Sequence, residues 1–262
     1  MRKAFLCLAV ALAAFAQQRP QFNDGDAHGD APYLIEDGWR PLLDGHDLSG
    51  WHALGSSGTA GWITTPGIIW ERLLGPTRLS AVPGAGDRIL NGLNGRTANL
   101  VTDRKFGDIE LYVEFMLAKG SNSGVYLQSL YEVQIFDSWG STEPMTSSDG
   151  GGIYHRWINE RGVGGSAPSV NASRRPGEWQ SYHIWFRAPR FDASGKKIEN
   201  AKFIRVLFNG LPVQNNVEVE GPTRAAANIP EAAENPLMLQ GDHGPVAFRN
   251  IYWRPLREII AR

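Results

Sequence analysis

From Asp108 to Ala118 the chain reads "DIELYVEFMLA", in which Ile109, Leu111, Val113 and Phe115 alternate with Glu110, Tyr112, Glu114 and Met116. A period of two puts each set on its own side of an extended strand, whereas a helix would scatter both around its circumference. One side is therefore built to be buried against a second layer. Short runs of similar character follow in "SGVYLQSL", "YEVQIFDS", "WQSYHIWFRAPRF", "KFIRVLFNGLPVQNNVEV" and "PLMLQGDHGPVAFRNIYWRPL". The 30 glycines and 16 prolines punctuate such runs, which predicts an all-β sandwich of short strands and turns rather than long helices. Asn209-Gly210 is a hairpin turn signal, and the one helical turn expected is a weak one near Ala225 to Ala233. Residues 141–152 and 159–177 are long and irregular, as the walls of a functional site often are.

The first residues combine Arg2 and Lys3, an apolar run from Ala4 to Ala16, and the small-x-small ending Ala14-Phe15-Ala16. Residues 1–16 thus read as a signal peptide cut before Gln17, and the expected location is secreted or periplasmic. Residues 17–37, polar and turn-rich, read as a flexible leader before a domain over 38–262. The single cysteine, Cys7, lies inside the signal, so the expected mature chain has no disulfide and relies on packing. Loss of Arg2 and Lys3 leaves 24 basic against 27 acidic residues, a net charge near −3. With no basic run and no long apolar span, nucleic acid and membrane insertion are not expected. The nine tryptophans supply flat faces of the kind sugar rings stack on, although most are expected in the core.

"YEVQIFDSWG", Tyr131 to Gly140, places two carboxylates and an amide in an otherwise apolar strand. Glu132 and Gln134 share one side, and a bulge near Ile135 or Phe136 would bring Asp137 to it. Such a polar row is either a solvent-facing strand or the floor of an active site.

The chain from about Trp39 to Leu256 resembles the 3-keto-disaccharide hydrolase domain family. The resemblance is carried in order by "LLDGHDLSGW", "FGDIELYVEF", "SNSGVYLQSLYEVQIFDSWG", "GGIY", "VNASRRPGEWQSYHIWFRAPRFDASGK", "LFNGLPVQNNVEVEGPT" and "DHGPVAFRNIYWRPL". It departs from the family between Trp62 and Gly95, where a proline-rich passage is expanded. The resemblance implies a concanavalin A-like jelly roll of two antiparallel sheets and a secreted hydrolase or lyase acting on 3-keto-glycosides. A ketone at C3 acidifies the C2 proton, so a base can remove it and the C1 oxygen can leave by β-elimination, with water adding afterwards. On this implication Glu132 is the base, His243 of "GDHG" the acid, and Arg249 of "FRN" the cation at the enolate oxygen. Tyr126, Gln128, Gln134, Asp137, Tyr154 and Asn171 are the expected substrate contacts. Duller roles compete with these: Arg249 holding the last strand, His243 satisfying a turn, Asn171 capping one. No cofactor is certain, but Glu132, Asp137 and His243 could ligate a divalent metal, calcium or a transition ion. The alternatives are a non-catalytic carbohydrate-binding module and an endo-β-glucanase of the same sandwich class. The glucanase strand motif E-x-D-x-x-E is matched poorly, since Gln134 stands where it has its middle acid and Asp137 where it has its last Glu. The oligomeric state is open.

Overall fold

The alternation read at 109–116 becomes the central strand of an antiparallel sheet, because its two neighbours pair with it along most of its length. The computed structural model describes residues 31–257 except 57, 60, 93 and 94. The expected signal peptide and most of the expected leader lie outside the described residues. In chain order the strands begin with β1 (Arg40–Pro41), β2 (Trp51–Ala53), β3 (Ile63–Thr65), β4 (Ile68–Trp70), β5 (Leu79–Ala81) and β6 (Arg88–Leu90). Then come β7 (Leu100–Phe106), β8 (Ile109–Leu117), β9 (Asn122–Leu127), β10 (Tyr131–Phe136), β11 (Arg156–Ile158) and β12 (Arg161–Val163). The remainder are β13 (Trp179–Arg187), β14 (Arg190–Phe191), β15 (Lys197–Glu199), β16 (Ala201–Phe208), β17 (Leu211–Val219), β18 (Asn235–Leu239) and β19 (Val246–Pro255).

Eight strands form the larger sheet in the order β17-β16-β13-β8-β19-β6-β3, with β1 also on β19. Five form the smaller, β10-β9-β18-β7-β2. All pairings are antiparallel, as expected for a jelly-roll sandwich. Between the sheets lies one apolar cluster that takes alternate residues from each: Leu111, Val113 and Phe115 from β8, Tyr182 and Ile184 from β13, Val133 and Ile135 from β10. Each such side chain contributes about 1.5–3 kcal/mol of burial, which replaces the cross-links the chain lacks.

Several expectations are corrected. The strand 109–117 is buried on both sides, not one. Its second side is covered in part by the supposed leader: the short helix α1 (Pro32–Ile35) lays Tyr33 flat on Tyr252 at 4.0 Å and against Tyr112 at 5.4 Å, while Leu34 and Ile35 stay exposed. The expanded passage supplies β6, which pairs with β19, and the edge strand β3 beyond it, and inserts between them in the chain the separate hairpin β4–β5. No helix forms over 225–233, since Ala225 has φ 63° and Pro230 interrupts the segment. The hairpin turn falls at Asn209 and Gly210, with φ 50° and 82°, joining β16 to β17. None of the helices among the described residues is long and apolar enough to cross a membrane.

Candidate active site

With Tyr131, Val133 and Ile135 in the core, Glu132 and Gln134 must face outward from the smaller sheet. Both side chains are shielded there, Glu132 3% exposed and Gln134 2%, while Tyr154 beside them is only half-buried and His243 is exposed. The chain returns over residues 151–154 to pair with β10, as Gln134 N–H donates to Gly152 O at 2.8 Å and Tyr154 N–H to Glu132 O at 3.1 Å. Residues directly opposite in antiparallel strands share a side. A row therefore runs across the sheet from Met238 through Tyr126 and Glu132 to Tyr154. The next row runs from Gln240 through Gly124 and Gln134 to Gly152.

Gly124 creates the space for the carboxyl group, because a Cβ there would sit 2.2 Å from Glu132 Oε1. Gly124→Ala should displace the carboxylate and cost roughly 1–3 kcal/mol of stability, measurable by urea denaturation. From the core side, Tyr182 OH donates to Gln134 O at 2.5 Å and fixes the strand, while Thr223 Oγ1 accepts from Glu132 N–H at 3.2 Å.

Burial pushes the Glu132 carboxyl up to about 8, with the nearby charge of Asp242 adding to the shift and a hydrogen bond from Tyr126 opposing it. Tyr126 is itself held well above its ordinary value by burial and by Glu132. A carboxyl raised from about 4.5 in the unfolded chain keeps its proton only when folded, so stability is greatest below that value and falls as pH rises toward 8. The fall is at most about 1.4 kcal/mol per pH unit, and Glu132→Gln should remove that component from a Tm-against-pH series.

Gln134 Nε2 donates to Ser148 O at 3.1 Å, which fixes the amide, and its Oε1 is buried without a hydrogen-bond partner. Beyond β18, His243 Nδ1 lies 2.5 Å from Asp242 Oδ1 and 3.2 Å from Gln240 Nε2, so the orientation of the Gln240 amide follows the tautomer of the imidazole. On the other flank Tyr154 stacks on His155 at 4.3 Å, and the Arg224 guanidinium lies 4.0 Å from the Trp157 ring. Burial, with Arg224 nearby, lowers the His155 pKa and favours neutral imidazole.

Tyr126, Glu132, Gln134 and Tyr154 thus share one face, with His243 at its margin. Arg249 does not join them. On β19 Phe248 and Ile251 take the core side around a bulge, so Arg249 points out from the larger sheet, on the far side of the sandwich. There its Nε donates to Glu114 Oε2 at 2.5 Å, its guanidinium covers Trp179 at 4.2 Å, and it lines a cavity of about 710 Å³ with Tyr33 and Trp185. Asp137 is displaced too: β10 has no bulge, and the carboxylate lies beyond the strand, accepting Gly120 N–H at 2.8 Å. Asn171 is 1% exposed and ties a loop, its Nδ2 donating to Ser138 O and its Oδ1 accepting Ser173 N–H. Gln128 sits in the turn between β9 and β10, donating to Phe106 O and Ala233 O. Among the described residues no three His, Cys, Asp or Glu side chains are grouped to hold a metal ion. Thr223, Arg224 and His155 were missed; the first two close or follow the "GPT" run, the only signal that could have pointed to them.

A model of the 3-keto-alpha-glucoside-1,2-lyase-like domain matches residues 38–254. The chain belongs to that family. The chain is similar to a solved structure from Parabacteroides distasonis, provisionally assigned as a glycosyl hydrolase, that is 27% identical with a TM-score of 0.60 over 84% of each chain. A second structure from the same organism, with the same provisional assignment, is 16% identical with a TM-score of 0.55, covering 84% of this chain and 95% of that one, and supports the fold alone. No curated protein matches. Family membership makes this a carbohydrate-active protein of the glycosyl hydrolase and lyase kind.

Proposed function

We propose that the protein cleaves the glycosidic bond of 3-keto-glycosides by removing the C2 proton and expelling the C1 oxygen. The observation that carries this reading is a buried carboxyl with a pKa of about 8, set between two tyrosines on a sheet face of a chain from this family. A base titrating near the working pH combines adequate basicity with a useful ionised fraction. Glu132 takes the C2 proton, and the electron pair of that bond becomes the enolate stabilised through the C3 oxygen. As the C1–O bond breaks, a C1=C2 double bond forms and the leaving oxygen receives a proton from His243. Water then adds its oxygen to C1 and gives a proton back to His243, while Glu132 returns its proton to C2. With Arg249 on the opposite side, the donors for the enolate oxygen are the Tyr154 hydroxyl and Arg224. Gln134 Oε1 accepts from a sugar hydroxyl.

Export, inferred from residues 1–16, would place this chemistry outside the cytoplasm, downstream of an enzyme that oxidises C3. The test incubates the protein with matched native and 3-keto disaccharides, with and without a chelator, and follows monosaccharide and glycal release. Cleavage confined to the ketone, with solvent deuterium entering at C2, is the expected result. Cleavage of the native sugar alone would overturn the reading, and binding without turnover of either would make this a carbohydrate-binding module. Loss of cleavage on chelation would add a metal to the mechanism.

A further inference from the structure

Beyond β10, at the end of the sandwich marked by the turn between β8 and β9, lies a cleft of about 520 Å³ outside the row that holds Glu132. It joins three parts of the chain: Trp70 and Arg72 from the inserted hairpin, Asp137 and Trp139 after β10, and Arg175 with Glu178 before β13. Lys119 completes the wall, so three cations face two carboxylates on a chain whose formal net charge is −1.

The aromatic part is fixed in place. Trp70 Nε1 donates to Pro76 O at 2.7 Å, and the bare Cα of Gly177 packs against the ring, where a Cβ would sit 2.5 Å from Cε3. The Arg175 guanidinium lies 5.4 Å from the Trp139 ring centroid, which holds a positive charge beside an indole. Asp137 Oδ2 is used by Gly120 N–H, which orients the carboxylate with one oxygen left as an acceptor. Indoles suit the C–H faces of a pyranose, the remaining carboxylate oxygen suits its hydroxyls, and Arg and Lys suit a carboxylate substituent. Three cations against two carboxylates leave the wall with an excess positive charge that a neutral sugar would not use, and a plain aromatic acid lacks the hydroxyls that Asp137 could accept from.

We infer that this cleft binds a carboxylate-bearing sugar ring, a hexuronic acid residue. It is a site separate from Glu132, and it owes its Trp70 wall to the inserted hairpin β4–β5.

Calorimetric titration of the full chain with methyl glucuronide, methyl glucoside and benzoate tests it. Methyl glucuronide should bind at least about tenfold more tightly than either of the others. Lys119→Ala/Arg175→Ala, which removes only exposed charges, should erase most of that preference, and Trp139→Ala should weaken the glucuronide at least about tenfold. Both variants should cleave a neutral 3-keto disaccharide at the wild-type rate, an assay that stands or falls with Glu132 and not with this cleft. Equal affinity for glucuronide and glucoside, benzoate binding as tightly as glucuronide, no binding of any of them, or a preference unchanged in the charge variant would each overturn the proposal.

Discussion

Glu132→Gln should lower the cleavage of 3-keto-glycosides by about 10²–10⁴-fold, the usual contribution of a general base. Glutamine keeps the volume over Gly124 and still offers Tyr126 an acceptor, so the fold should persist while proton abstraction stops. The pH profile sharpens the test. With the free carboxyl near 8, wild-type kcat/KM should rise with pH up to about that value and then level on its basic side. The residual rate of the variant should show no such limb. A limb centred near the ordinary carboxylate value, or a variant as active as wild type, would remove Glu132 from the mechanism.

The largest stability loss is expected on the opposite side of the molecule. Arg254 grips Glu110 with two bonds, Nε to Oε2 at 2.7 Å and Nη2 to Oε1 at 2.8 Å, and both residues are buried. Its guanidinium also lies 4.4 Å from the Trp39 ring, and Nη1 donates to Asp37 O at 3.2 Å. Arg254→Met should cost about 3–5 kcal/mol in urea denaturation, because it strands a carboxylate that burial penalises. His183, 2.8 Å from Glu110 Oε1, offers only partial relief, since its own burial lowers its pKa. Adding Glu110→Gln to Arg254→Met should recover most of the loss, showing that the stranded charge, rather than the missing packing, is the main cost.

The strands were legible in the sequence because period-two alternation is a local property, and the stretch 109–117 needed only its own residues to declare itself. What covers a strand is not local. That the second side of β8 would be covered in part by Tyr33 depends on a contact with residues far apart in the chain, and a turn-rich composition gave no hint of it. The polar row at Glu132 and Gln134 was visible for the same reason as the strands. Asp137 was misplaced because a bulge had to be supposed, and its carboxylate found a turn N–H instead. Arg249 was misplaced because its motif says which strand it occupies but not which sheet, and the two outer faces of a sandwich carry the same alternation. Arg224 follows a motif without belonging to its pattern, so only the folded chain brings it beside Tyr126.

The docking of residues 31–37 on the larger sheet has a practical outcome. Any affinity handle or surface linkage fused ahead of Ala31 departs from the wall facing away from Glu132, so an immobilised protein should present its reactive side to the bulk solution and keep turning over soluble sugars.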